Sequence, residues 1–174
     1  MKSQPQEKKR PPAPKPGKAT GPATVAKPPR VAFPKRDQPP TPAAFAARLP
    51  LVLGKRFETA RTFLLRQKDV KEDVYYYGQK TGWALRYLVR DLPLCALLLH
   101  GDMPVGILSL SSAATATVDW KNLSSVGQLA HKNAHGSPSL LWLDVPLAGN
   151  GAADFKAIVR AKLADLAPRE LTSE

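Results

Sequence analysis

The sequence predicts an α+β domain: a mainly antiparallel sheet of about five strands, packed on one face by helices, behind a basic proline-rich tail. Three observations carry that expectation. Short apolar runs separated by Gly- and Pro-bearing turns fill residues 74–110. Apolar residues at helical spacing bracket that block, over residues 53–64 and 155–166. The first 42 residues hold twelve of the eighteen prolines, and ten Lys/Arg against two acids, a net of +8 out of a total of +12.

The charge therefore belongs mostly to the tail. Residues 1–40 carry only Val25, Val31 and Phe33 as sizeable apolar side chains after Met1. Such a segment buries too little to offset its conformational entropy, so residues 1–41 read as a disordered tail of polyproline character. Residues 42–168 read as a single domain and 169–174 as a short C-terminal tail. The domain should open with a helical turn, Thr41 standing before Pro42 at the first helical position and Pro50 ending it.

Leu53, Phe57, Ala60, Phe63 and Leu64 recur at helical spacing, which predicts a helix from about Gly54 to Gln67. Strands follow at Val74–Tyr77, Trp83–Arg90, Leu94–His100 and Val105–Leu110. Trp83, Leu85, Tyr87 and Val89 alternate with Ala84, Arg86, Leu88 and Arg90, the pattern of a strand with two different faces. Leu94–His100 is apolar on both, as a central strand should be. Residues 78–82, 90–93 and 101–104 supply the reversals. A helix is expected near Asp119–Ala130, a polar loop over His131–Pro138, and a fifth strand at Leu140–Val145. Phe155, Ile158, Val159, Leu163 and Leu166 then form the stripe of a last helix, stopped by Pro168.

Composition excludes several classes. A single cysteine permits no internal disulfide and suits a reducing compartment. Residues 1–35 have no apolar run of signal-peptide length, and prolines at 11, 12, 14, 16, 22, 28 and 29 rule out an amphipathic presequence helix. The run from Leu92 to Leu110 is broken by Pro93, His100, Gly101, Asp102 and Pro104, so it reads as strands and a turn rather than a membrane span. A cytoplasmic protein is expected, with no membrane association.

No spacing points to a cofactor or metal. Gly149-Asn150-Gly151 between a strand and a helix lacks a third glycine, and Asp154 in the first turn opposes an anionic ligand. His131 and His135 stand four apart, but the residues after them do not continue a helix. Cys95 and His100 are five apart on one strand and face opposite ways, so they cannot form a nucleophile and base.

One constellation remains. Arg86 and Arg90 share a face of the second strand, where a pair of guanidiniums could grip a carboxylate or phosphate. Tyr75 and Tyr77 could wall that site, and Trp142 and Asp144 could add a stacking ring and an acceptor. The plainer alternative is the solvated side of a half-covered sheet, with Arg stems lying over tyrosines.

Gly82-Trp83 opening a strand that contains Arg86-Tyr87, an apolar strand ending in His100-Gly101, and Leu141-Trp142-Leu143-Asp144-Val145 before a last helix make a recurring pattern. Over about residues 53–166 it resembles the small bacterial proteins grouped as domain of unknown function 3788. The chain departs from them in the Asp-Met-Pro after Gly101 and in its tail. The resemblance implies a compact α+β fold and a bacterial, cytoplasmic setting, and brings no catalytic residues with it.

Function is then expected of a binding or accessory module rather than an enzyme. Lys8, Lys9, Arg10, Lys15, Lys18, Lys27, Arg30, Lys35 and Arg36 could contact phosphates or an acidic protein in a sequence-blind, salt-dependent way. Phe33 is the only aromatic among them to stack on a base. The alternative is a small-ligand-binding domain or enzyme that uses the Arg/Tyr/Trp sheet face for an anion.

Overall fold

A computed structural model describes residues 31–167 of the chain. The α+β expectation holds. The elements are helices α1 (Pro42–Ala47) and α2 (Leu51–Leu65), and strands β1 (Val70–Tyr76), β2 (Trp83–Val89), β3 (Leu92–His100) and β4 (Met103–Ser111). Then come α3 (Ser112–Thr117), a 3-10 turn (Trp120–Asn122), α4 (Ser125–Lys132), β5 (His135–Ser137), β6 (Leu140–Pro146) and α5 (Gly151–Leu166). The strands form one antiparallel sheet in the order β1-β2-β3-β4-β6-β5.

Two-residue alternation gives the sheet its two faces. One face carries Leu85, Tyr87, Val89, Leu97, Leu99, Leu108, Leu110, Leu143 and Val145. The buried side chains of the helices join the same cluster: Phe45 of α1, Phe57, Ala60 and Leu64 of α2, Ala114 of α3, Ala130 of α4, and Phe155, Ile158 and Val159 of α5. Burial of this one cluster is the main favourable contribution to folding, since hydrophobic gain follows apolar area removed from water. The opposite face holds a smaller buried patch of Ala84, Ala96, Leu98 and Val105, with Ile107 packed against it.

Several boundaries differ from the sequence reading. The helix expected from Gly54 begins earlier, at Leu51, with Pro50 as its N-cap rather than as the end of α1. The sheet has six strands, because His135–Ser137 pairs with Leu140–Trp142 where a polar loop was expected. The helix expected at Asp119–Ala130 is instead a 3-10 turn followed by α4, each preceded by its own N-cap residue. Residues 31–35, assigned above to the tail, are set against the domain. Val31 bridges to His100, Phe33 packs on Phe45 at 4.8 Å, and the carbonyls of Phe33, Pro34 and Lys35 accept hydrogen bonds from Trp83 N, Tyr76 Oη and Trp83 Nε1. Backbone acceptors are common to every residue, so composition could not announce this docking.

Asp154 has a role unlike the one its position suggests. It is buried, and its carboxylate accepts from Ser124 N at 3.0 Å, Gly127 N at 2.9 Å and the Ser124 hydroxyl, closing the N-terminus of α4 rather than that of its own helix. Gly151 sits against the Pro146 carbonyl, where a Cβ would lie 1.8 Å from the oxygen, so its lack of a side chain serves packing. No helix among the described residues is long and apolar enough to cross a membrane.

Candidate functional site

A gap in the sheet creates the site. β2 and β3 lose register between Tyr87 and Leu88: Tyr87 faces Cys95 while Leu88 faces Pro93, which leaves Leu94 as an extra residue. This bulge bends β3, as an inserted residue does. The β3–β4 ladder consequently stops at Ala96↔Ile107. Beyond that point β3 follows β2, while Leu108–Ser111 pairs only with β6. A cavity of about 250 Å³ fills the opening, lined by Tyr75, Tyr77, Arg86, Pro93, Leu94, Cys95, Ala96, Ile107, Leu108, Ser109, Trp142 and Lys162. Residues of both sheet faces line it, so it is a recess through the sheet rather than a dimple on its surface.

Aromatic side chains frame the mouth. Tyr75, Tyr77 and Trp142 are 42 %, 39 % and 45 % exposed, which leaves their rings free to meet a ligand. Tyr75 and Tyr77 meet edge to face with centroids 4.9 Å apart. The Arg86 guanidinium lies 3.9 Å over the Tyr75 ring and grips Asp73 through Nε and Nη2, a two-pronged ion pair across the β1–β2 ladder. That hydrogen bonding raises the Arg86 guanidinium above its ordinary value. Arg86 is thus a fixed wall whose charge Asp73 already balances. Burial pushes the Tyr77 hydroxyl up to about 12, so at neutral pH it is a protonated donor.

Lys162 closes the inner end. It belongs to α5, on the helix-covered side, and is only 7 % exposed. Its Nζ donates a long 3.4 Å hydrogen bond to Ser109 Oγ. Among the described residues no carboxylate lies within ion-pair distance of it. The Asp165 carboxylate, one turn on, is taken up by the Ser111 hydroxyl at 2.8 Å. Burial lowers the Lys162 ammonium from its ordinary 10.5, against the pull of the Asp165 carboxylate. Cys95, beside it, is driven upward by burial and remains a neutral thiol. The uncompensated cation of the recess is therefore Lys162, which sequence reasoning passed over. Its signal was present: Lys162 stands seven residues after Phe155 and four after Ile158, on the buried stripe of α5, where a lysine is out of place.

Four of the residues singled out in the sequence come together here: Tyr75, Tyr77, Arg86 and Trp142. Arg90 does not join them. It lies past the end of β2 in a two-residue turn with Asp91, both at positive φ (49° and 64°), and its guanidinium donates to the Leu166 carbonyl at the end of α5. The left-handed turn breaks the alternation on which the Arg86/Arg90 pairing rested. Asp144 shares the Trp142 face but is exposed and stands outside the recess.

The histidines also separate. His131 lies in the last turn of α4 and stacks on Trp120 at 3.9 Å, whereas His135 is in β5. The described residues contain no cluster of three metal-ligating side chains. Of the basic tail residues, Lys8, Lys9, Arg10, Lys15, Lys18, Lys27 and Arg30 lie outside the described residues, while Lys35 and Arg36 are exposed. No protein-family model, curated protein or solved structure matches the chain.

Proposed function

We propose that the domain binds a small planar molecule bearing an electron-rich oxygen group, such as a carboxylate or carbonyl. Its ring meets Tyr75, Tyr77 and Trp142, and its oxygen points inward to Lys162. The observation that carries this reading is a recess with half-exposed aromatic rings at its mouth and, at its inner end, a buried lysine that no carboxylate among the described residues pairs with. A cavity of about 250 Å³ is below the range of roughly 300–1,000 Å³ for drug-sized ligands, which suits a single-ring metabolite. The two-pronged Asp73 grip makes Arg86 a support for the Tyr75 ring rather than the main anion contact.

Titration with benzoate and with an indole carboxylate, followed by thermal shift and tryptophan fluorescence, tests the reading. Wild type should be stabilised. Tyr75→Ala and Trp142→Ala should each weaken binding about fivefold, the weight of one aromatic contact of about 1 kcal/mol. Leu129→Ala, on the exposed side of α4, should bind as wild type does. Unchanged melting of wild type at millimolar ligand would refute it.

A further inference from the structure

We infer that Lys162 is a carbonyl-condensing amine, so that the recess takes aldehydes or ketones and holds them as an imine. The inference rests on the binding reading above and narrows its ligand class. Three structural observations carry it. The four-carbon stem of Lys162 reaches from α5 to the opening between β3 and β4 and sets Nζ at the cavity, beside Ser109. No carboxylate pairs with the ammonium among the described residues, so nothing locks it in the charged form that cannot attack a carbonyl. The neighbouring wall is apolar, Cys95, Leu94 and Leu108 being buried, which favours the neutral amine.

The chemistry balances without a further reagent. The neutral amine adds its lone pair to the carbonyl carbon, forming a C–N bond as the C=O π electrons move to oxygen. One amine proton passes to that oxygen, giving a carbinolamine, and the Ser109 hydroxyl at 3.4 Å is placed to relay it. The C–O bond then breaks, oxygen leaves as water carrying the second amine proton, and the C=N bond remains. Tyr75, Tyr77 and Trp142 hold the planar remainder of the ligand at the mouth.

The test uses the full chain with 4-carboxybenzaldehyde and sodium cyanoborohydride, read by intact mass and peptide mapping. A single saturable adduct at Lys162 is expected at neutral pH. It should form faster than at any exposed lysine, because burial lowers the basicity of this amine. Benzoate should slow it, and Lys162→Arg, which cannot condense, should abolish it. Lys162→Met, whose apolar side chain is about as long as the lysine stem, supplies a second variant in case Arg disturbs the fold. Labelling spread evenly over exposed lysines would overturn the inference. If benzoate binds and Lys162 stays unlabelled, the amine chemistry falls and the binding reading stands. If benzoate does not bind and Lys162 is unlabelled, both fall.

Discussion

Replacing Lys162 by Met should stabilise the protein at neutral pH. The residue is 7 % exposed, its one polar partner is Ser109 at 3.4 Å, and no described carboxylate pairs with it. Burying an ammonium with so little compensation costs several kcal/mol in principle. Part of that is avoided because the amine faces the recess, and Met keeps most of the stem's packing, so the expected gain is about 1–2 kcal/mol. The sign with pH follows from linkage. Folding depresses the lysine below its ordinary 10.5, so between the two values the unfolded chain binds more protons and stability rises with pH. The penalty is whole below the depressed value and gone above the ordinary one. Urea unfolding of wild type and Lys162→Met across neutral to alkaline pH measures this. The variant should have the higher midpoint at pH 7, with the gap closing toward pH 10.5. A variant less stable than wild type at pH 7, or a gap indifferent to pH, would refute the picture of an uncompensated buried amine.

Three further outcomes follow from the packing. Gly106→Ala would set a Cβ 2.3 Å from the Phe155 ring, at a point where α5 lies on the sheet, and should cost about 1–3 kcal/mol in equilibrium unfolding. Burial works to raise the Glu72 carboxyl, but hydrogen bonds from Arg61 and Tyr87 hold it below its ordinary 4.5. Its contribution is therefore present above that value and lost as pH falls through the depressed one. Glu72→Gln should cost about 2 kcal/mol at pH 7, with the two proteins converging in acid. Asp154→Ala removes the acceptor of Ser124 N and Gly127 N. It should cost about 2 kcal/mol and speed hydrogen exchange of those two amides.

Much of the fold was legible because it is set by local periodicity. Alternation placed Trp83, Leu85, Tyr87 and Val89 on the core face, and the helical stripe placed Phe155, Ile158 and Val159 against them, as the core cluster bears out. Both signals live within a dozen residues, and the hydrophobic effect acts on each segment in the same sense as on the whole. The same alternation brought Tyr75, Tyr77, Arg86 and Trp142 to one side of the sheet.

What failed was whatever depended on a partner distant in sequence. Arg90 left its expected face because the β2–β3 turn is left-handed, a choice made by the pairing of the two strands. Residues 33–35 docked through carbonyls that carry no residue signature. Lys162 belongs to no motif, and only its place on the α5 stripe marked it.

By itself, then, the sequence determined which segments are strands and helices and which side of each is apolar, since those preferences are paid in local backbone geometry and burial. Only the tertiary structure decided where the sheet opens. The slip at Leu94 is set by the register of β3 against β2, while β4 beyond Ile107 pairs with β6, and the lysine of α5 and the aromatic rings line the opening between them.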